Sequence, residues 1–191
     1  MIRSLRTATS RQDEFQRLAL PHSAALLRVA RRIASDRATA DDLVQEALLR
    51  AWRSFDQFQP GTNARAWLFR ILFNVFYAHG RKIRLEPPIA SLESPSSESG
   101  PVQRSGLSPL DAVEVNRALV ELSSDHRAVI LLAIVEGFTC REIGEILSVP
   151  LGTVMSRLSR ARQVLRDKLT PAKSVFLAPT PDPSCIEREA S

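Results

Sequence analysis

The segment "EILSVPLGTVMSRLSRARQVLRDK" (residues 145–168) passes from a mainly apolar helical pattern to a strongly basic one across a short break. Pro150, Gly152 and Thr153 form the break, and five arginine or lysine residues follow it. From Val154 onward, apolar residues recur every three or four positions and fall on one narrow stripe of a helix. This pattern predicts a helix-turn-helix whose second helix turns its polar side toward DNA. An ordinary helical hairpin would explain the turn but not the sorting of charge.

The second helix of this motif is predicted to carry two kinds of polar group on its outward side. Thr153 is expected to cap its N-terminus, where free backbone N–H groups favour a phosphate. Polar groups suited to base edges are expected in the centre, and guanidinium groups suited to phosphates at the sides. The outward residues are Ser156, Ser159, Arg160 and Gln163, with Arg157 and Arg162 on the flanks.

Positive charge is unevenly placed along the chain, which has 26 basic and 21 acidic residues among its 191. Residues 60–84 contain five basic residues and no acid, and residues 153–173 contain six basic residues and one acid. Residues 111–149 have the opposite balance, with seven acids and three bases. Two separate positive patches suit two contacts with a polyanion.

Several function classes are disfavoured by the residues present. Cys140 and Cys185 stand far apart without any neighbouring ligand pattern, so neither a zinc site nor a disulfide framework is expected. The three histidines are scattered, and no nucleophile–base pair or phosphate-binding loop is recognisable. The longest apolar run, residues 128–135, is too short to cross a membrane. We expect a non-enzymatic protein of the cytoplasm that uses no cofactor and no metal and does not insert into the membrane.

The chain is predicted to be all-α, with two small helical domains at residues 10–84 and 111–170. Residues 85–110 contain five prolines and seven serines among 26 positions, which predicts a flexible linker. The tail, residues 171–191, is expected to be disordered. Thr39 is the expected N-cap of the second helix. Helices are predicted near residues 13–34, 39–55, 63–80, 111–122, 125–136, 139–147 and 153–168.

The N-terminal half contains two helical stretches whose outward faces are unusual. In residues 41–55 one broad half is apolar, and the other presents Asp42, Gln45, Glu46, Arg53 and Leu49. A plain solvated face would explain this second half equally well. Residues 55–82 interleave aromatic and basic residues, a combination that suits unstacked bases. An aromatic core helix is the simpler explanation for most of the phenylalanines.

The C-terminal half resembles region 4 of the small bacterial sigma factors of the extracytoplasmic-function (ECF) group. The resemblance covers residues 119–165, and "PLGTVMSRLSRAR" is its most specific portion. In that family this helix-turn-helix binds the promoter −35 element. Met155 departs from the pattern, because a basic residue is common there in relatives, and this leaves the base preference at that position open. The resemblance implies −35 contacts by Thr153, Ser156, Arg157, Arg160 and Arg162.

The N-terminal half is similar to sigma region 2 in "DDLVQEALLRAW" and in "WLFRILFN" with its preceding loop. The first match implies docking on the β′ clamp of RNA polymerase core through Asp42, Gln45, Glu46 and Leu49. The second match implies capture of a flipped −10 base, since an extruded base needs a pocket. The residues implied in that capture are Phe58, Asn63, Trp67 and Asn74, with Asn74 the foremost because its amide both donates and accepts.

The combined resemblance implies a sigma factor that has regions 2 and 4 only. Its expected partners are RNA polymerase core, promoter DNA and an anti-sigma factor. A stand-alone helix-turn-helix regulator would explain residues 139–168 but would leave the Asp42–Leu49 face without a role. A sigma mimic that only sequesters an anti-sigma protein would not need the basic flank of residues 157–162.

Overall fold

The computed structural model describes residues 8–85 and 109–169, and every regular element in these ranges is helical. The chain divides into two compact units, Met1–Glu93 and Ser94–Ser191. The prediction of an all-α protein is therefore confirmed. Apart from residues 85, 109 and 110, which are helical, the predicted linker (85–110) lies outside the described residues. The predicted tail (171–191) also lies outside them.

The N-terminal unit is built from three helices that all pack against one another. They are α1 (Ala8–Ile33), α2 (Arg37–Arg53) and α3 (Ala64–Leu85), with a short 3₁₀ helix at Phe55–Gln57. Each helix places one apolar stripe in the common core, as the spacing predicts. The fully buried side chains include Leu26, Val29, Ala51, Leu68, Phe69, Leu72 and Phe73.

Helix α2 begins two residues earlier than predicted, and its N-cap is Asp36 rather than Thr39. The Asp36 Oδ1 accepts the Thr39 backbone N–H at 2.8 Å, and its Oδ2 accepts the Thr39 hydroxyl at 2.7 Å. An aspartate is a better cap than a threonine because its carboxylate interacts favourably with the helix N-terminus. These hydrogen bonds from Thr39 lower the pKa of Asp36 to about 2.

The C-terminal unit consists of α4 (Pro109–Val120), α5 (Ser124–Ile130), α6 (Cys140–Leu147) and α7 (Leu151–Lys168). Helix α5 continues directly into a π-helical segment, Leu131–Val135, so the helix predicted near 125–136 is present but changes from α to π geometry in its second half. Gly137, with φ of 67°, follows this segment and permits the left-handed backbone that ends it. Helix α7 packs mainly on α5 and α6.

The break between α6 and α7 lies at residues 148–150, slightly earlier than predicted. Ser148 adopts a left-handed conformation with φ of 55°, and Pro150 is the N-cap position of α7. Thr153 therefore does not cap the helix: it lies in the first turn, where its backbone N–H donates to the Pro150 carbonyl at 2.9 Å. Gly152 is likewise helical and not part of the break. Proline suits this position because its fixed φ is compatible with a helix start.

Helix α6 is held in place by a capping box at its start and by a close approach near its end. The Thr139 hydroxyl accepts the Glu142 N–H at 3.3 Å, and the Glu142 carboxylate accepts the Thr139 N–H at 2.9 Å. At the other end, the Val149 N–H donates to the Gly144 carbonyl at 3.0 Å. A Cβ at Gly144 would lie 3.0 Å from the Val149 carbonyl oxygen. Gly144 thus permits the tight turn into α7.

Replacing Gly144 with alanine should destabilise the helix-turn-helix, because the added methyl group would press on the Val149 carbonyl. We expect Gly144→Ala to lower the free energy of unfolding by about 1–2 kcal/mol, net of the better helix propensity. Gly152→Ala is the matched control, since a Cβ there meets no atom within 4 Å. Urea denaturation of the full chain followed by circular dichroism measures both, and equal stability of the two variants would contradict this packing.

The Asp36 cap should make the start of α2 sensitive to acid. Because folding lowers the pKa of Asp36 from 3.8 to about 2, the stability from its charged form is fully present above pH 3.8. It is lost as the pH falls toward 2. NMR titration of the side-chain carboxyl carbon should give a midpoint near 2, and Asp36→Asn should remove that resonance while retaining a cap. A midpoint at the ordinary value would contradict the assigned hydrogen bonds.

Candidate nucleic-acid interface

Helix α7 presents a polar face that is left outside the core of its unit. Its apolar stripe, Val154, Leu158, Ala161 and Leu165, is buried as predicted. Ser156 and Arg160 are exposed, and Thr153 is half-buried. The Ser156 hydroxyl donates to the Thr153 carbonyl at 3.0 Å, whereas Arg160 has no hydrogen bond or ion pair with the described residues. Arg160 is therefore the one of the five predicted contacts with a fully available charge.

The two flanking arginines of α7 are less exposed than Arg160, and Arg157 forms an ion pair within its own unit. The Arg157 guanidinium lies 2.5 Å from the Asp125 carboxylate, and only 25% of its side chain is exposed. Arg162 is half-buried, and its Nε is buried without a hydrogen-bond acceptor among the described residues. The sequence pattern placed both at the edge of the helix, but it gave no sign of the Asp125 partner, which lies 32 positions away. Arg157 therefore lies at the margin of the exposed face.

Two apolar side chains also belong to the exposed face of α7. Leu151 is 44% exposed and Met155 is 53% exposed, and they are one helical turn apart at its N-terminal end. The sequence interpretation did not include Leu151, because it started the helix at residue 153. Recognising that Pro150 precedes a helix start would have added this residue. The face consequently joins an apolar edge to a polar centre.

The outward face of α2 has the predicted composition. Asp42, Gln45 and Leu49 are exposed, and half of the Leu49 surface is accessible to solvent. Glu46 is half-buried and its carboxylate accepts a hydrogen bond from the Arg50 Nε at 2.7 Å. The four predicted residues share one face because they are spaced at i, i+3, i+4 and i+7. This face combines one large apolar side chain with a surrounding polar rim.

The four residues predicted to bind the −10 element fall into three separate places. The rings of Phe58 and Trp67 are in contact, with centroids 4.9 Å apart, and both are half-buried. Asn74 is exposed on the same side of α3 as Trp67, two helical turns further along. Two turns correspond to about 10 Å of helix rise. The Phe58–Trp67 pair and Asn74 thus lie along one side of α3.

Asn63 has a structural role that the sequence interpretation missed. Its side-chain oxygen accepts the Ala66 backbone N–H at 3.0 Å, directly before α3 begins at Ala64. This is the geometry of a helix N-cap. The signal was available, since asparagine is a preferred cap and it precedes a run of good helix formers. The oxygen of Asn63 is therefore already occupied by the backbone.

The cysteine and histidine side chains in the part of the chain that the structure describes form no metal site. Within residues 8–85 and 109–169, no group of three or more metal-ligating side chains is gathered. Cys140 is buried and forms no disulfide with another described residue. Burial, followed by the positive charge of Arg65, lowers the pKa of His22, so its ring is neutral at pH 7. None of the helices described is both long and apolar enough to cross a membrane.

Both units match known families. Sigma-70 region 2 matches residues 18–85, and Sigma-70 region 4 matches residues 112–165. The ECF RNA polymerase sigma factor SigE of Mycolicibacterium smegmatis is 39% identical over 78% of the chain, which corresponds to 58% of that relative. The ECF sigma factor SigL of Mycobacterium tuberculosis is 35% identical over 76% of the chain and 82% of its own length.

A solved structure supports the same relationship. The sigma factor RpoE of Bartonella quintana, crystallised with the anti-sigma factor NepR, shares 35% identity and a TM-score of 0.68. The match covers 81% of the present chain and 95% of RpoE. Two helical units that carry sigma-70 regions 2 and 4 in this order, together with these relatives, show that the chain belongs to the ECF RNA polymerase sigma factors, non-enzymatic initiation factors that direct the polymerase to promoters.

Proposed function

We propose that the two units recognise separate parts of one promoter and that the outward face of α2 attaches the chain to RNA polymerase core. The C-terminal unit binds the −35 duplex through α7, and the N-terminal unit captures an unpaired −10 base. The observation that carries this proposal is that the outward faces of α2 and α7 contribute nothing to the cores of their own units. Each face is thus available to a partner without unfolding its domain.

The exposed face of α7 suits the major groove. Arg160 offers a guanidinium that can bind a guanine edge in bidentate fashion, and Ser156 offers a hydroxyl to a neighbouring base. Leu151 and Met155 are apolar, exposed and adjacent, which suits contact with a thymine methyl group. Arg157 and Arg162 contribute positive charge at the margin, close to where phosphates would lie. Thr153 lies in the first turn, beside the N-terminus of the helix.

The outward face of α2 suits a protein partner. Leu49 provides an apolar anchor, and Asp42, Gln45 and Glu46 provide the polar rim that commonly surrounds such an anchor. The acidic side chains would favour a basic surface on the polymerase β′ clamp. Glu46 is already paired with Arg50, whereas Asp42 is exposed and forms no ion pair with the residues that the structure describes. Asp42 is therefore the stronger candidate for an intermolecular ion pair.

The Phe58–Trp67 pair suits a base that has left the duplex. An aromatic ring that stacks on an unpaired base contributes about 1–3 kcal/mol to binding. Asn74 can hydrogen-bond a base edge because its amide group carries both donors and an acceptor. Asn63 holds the start of α3, and its contribution to capture is to fix the turn from which Trp67 projects. Binding energy gained from the captured base stabilises the separated strands.

The proposal extends to a further partner and to the cellular location. RpoE of Bartonella quintana was solved in complex with an anti-sigma factor, and we propose that an anti-sigma factor likewise restrains this chain. The chain would act in the cytoplasm, where RNA polymerase and the chromosome are found. A sigma mimic that only sequesters an anti-sigma protein is the competing function, and it would need neither the exposed Arg160 nor the Phe58–Trp67 pair.

Leu49→Asp should weaken attachment to RNA polymerase core by about ten-fold or more, because it places a charge where an apolar anchor is desolvated. Leu20→Asp on α1 is the matched control, since Leu20 is 63% exposed and lies outside the α2 face. Surface plasmon resonance with immobilised core enzyme measures both variants. Equal affinities for the two would contradict the assignment of the α2 face.

Arg160→Ala should reduce binding of the holoenzyme to its promoter by about ten-fold or more, since a good bidentate base contact is lost. On a promoter whose −35 element is scrambled, the wild type and the variant should bind equally well, because the base that Arg160 contacts is then absent. Arg166→Ala is the control on the same helix: Arg166 is exposed and its guanidinium donates to Gln163 at 3.2 Å. A loss that persists on the scrambled promoter would show that Arg160 contributes charge alone.

A further inference from the structure

A row of aromatic rings connects α1 with the start of α3, and we call it the aromatic row. Its members are Phe15 on α1, Trp52 on α2, Phe55 in the 3₁₀ helix, Phe58 after it and Trp67 on α3. The successive ring centroids lie 5.3, 6.5, 6.4 and 4.9 Å apart. The last two rings are the ones proposed above to hold the captured base.

The three middle rings of the aromatic row, Trp52, Phe55 and Phe58, are stacked nearly parallel to one another. The planes of Trp52 and Phe55 differ by 14°, and those of Phe55 and Phe58 by 9°. Phe15 meets both Trp52 and Phe55 edge-on, at 70° and 78°. These are the favourable geometries for aromatic pairs. The orientation of Phe58 is thereby tied to that of Trp52, two rings away.

The guanidinium group of Arg11 makes three contacts at or near Trp52, the second ring of the aromatic row. The guanidinium carbon lies 4.4 Å from the centroid of the Trp52 ring. The Nη2 donates to the Trp52 backbone carbonyl at 3.1 Å and lies 3.0 Å from the Asp56 carboxylate. Arg11 is on α1, so these contacts join α1 to the C-terminus of α2 and to the 3₁₀ helix. Phe58 follows Asp56 by only two residues.

The chemistry of these contacts suits an arginine in particular. A planar guanidinium can stack on an indole ring and donate from its edge at the same time, which an ammonium group cannot do. The Trp52 carbonyl lies in the last turn of α2, where helix carbonyls lack intrahelical partners and attract a cation. Asp56 is 75% exposed, so the ion pair alone is weak, and the ring and carbonyl contacts provide most of the hold.

We infer that Arg11 is a positioning residue for the capture of the unpaired −10 base. By fixing Trp52 and the 3₁₀ helix, Arg11 sets the orientation of Phe58 against Trp67 before DNA arrives. A preorganised pair of rings binds a base more tightly than a mobile pair, because less freedom is lost on binding. This inference rests on the proposed role of Phe58 and Trp67 in base capture.

Holoenzyme variants can test the inference on a fork-junction DNA that carries the −10 element used by the wild type. The fork is prepared with the flipped base intact or replaced by an abasic residue. Arg11→Ala should weaken binding to the intact fork by about five-fold, the size expected when one side chain must become ordered on binding, and should leave binding to the abasic fork within two-fold. Arg11→Lys should recover only part of the loss. Arg17→Ala, an exposed arginine on the same helix, should bind both forks like the wild type.

Asp56→Ala gives a second, gentler variant, because Asp56 is largely exposed and the fold should tolerate its loss. It should reduce the ratio of intact to abasic affinity in the same direction as Arg11→Ala, but by less. The ratio also cancels any general gain in DNA affinity from removing an acidic charge. Affinity for core polymerase should stay unchanged in both variants.

The outcomes separate this inference from the function on which it rests. Phe58→Ala should lose affinity for the intact fork alone. If Phe58→Ala shows that base-dependent loss and Arg11→Ala does not, Arg11 is not a positioning residue. An equal loss on both forks by Arg11→Ala would also overturn the inference, since a merely structural defect does not depend on the base. If Phe58→Ala is itself indifferent to the base, the proposed capture site is wrong and the inference falls with it.

Discussion

The packing of one narrow apolar stripe against α5 and α6 determines how α7 can meet DNA. Val154, Leu158, Ala161 and Leu165 are all buried, and each large side chain contributes about 1.5–3 kcal/mol on burial. A rotation of the helix by one residue would bury Arg157 or Arg162 more deeply and would expose part of this stripe. The core therefore fixes which side chains remain outside, and the proposed recognition of DNA uses those exposed side chains.

Arginine side chains complete helix ends in both units. Arg11 donates to the Trp52 carbonyl at the end of α2, and Arg127 donates to the carbonyls of Val120 and Leu122 at the end of α4. Burial lowers the pKa of Arg127, because removing the charged guanidinium group from water disfavours its protonated form. Helix C-terminal carbonyls favour cations, so the same solution recurs in unrelated sequence contexts.

Local patterns in the sequence predicted much of the fold and the faces of single helices. The burial of the α7 stripe and the exposure of Asp42, Gln45 and Leu49 follow from helical periodicity alone, because they depend on one element at a time. The pairing of Arg157 with Asp125 could not be predicted, since it joins two helices through their tertiary arrangement. The aromatic row could not be predicted either. Helical periodicity indicates whether a ring is buried or exposed, but it does not indicate which other ring it contacts.

Residues with two suitable roles were the hardest to interpret. Asn63 was assigned to base capture, whereas its oxygen caps α3, and Thr39 was assigned as a cap that Asp36 provides instead. In each case several nearby polar residues could satisfy the same backbone groups, and small differences in geometry select one. Resemblance to a family assigns a function to such residues. It does not show whether a residue touches the partner itself or only stabilises the local backbone.

The central claim is that two helical units of one chain read two separate promoter elements while attached to polymerase. The most direct test is selection of promoters by reconstituted holoenzyme from a pool of random DNA fragments, with the start sites of the transcripts sequenced. The claim predicts two conserved blocks upstream of each start, separated by a spacer of nearly constant length and variable sequence. A single conserved block, or no initiation at all, would contradict it.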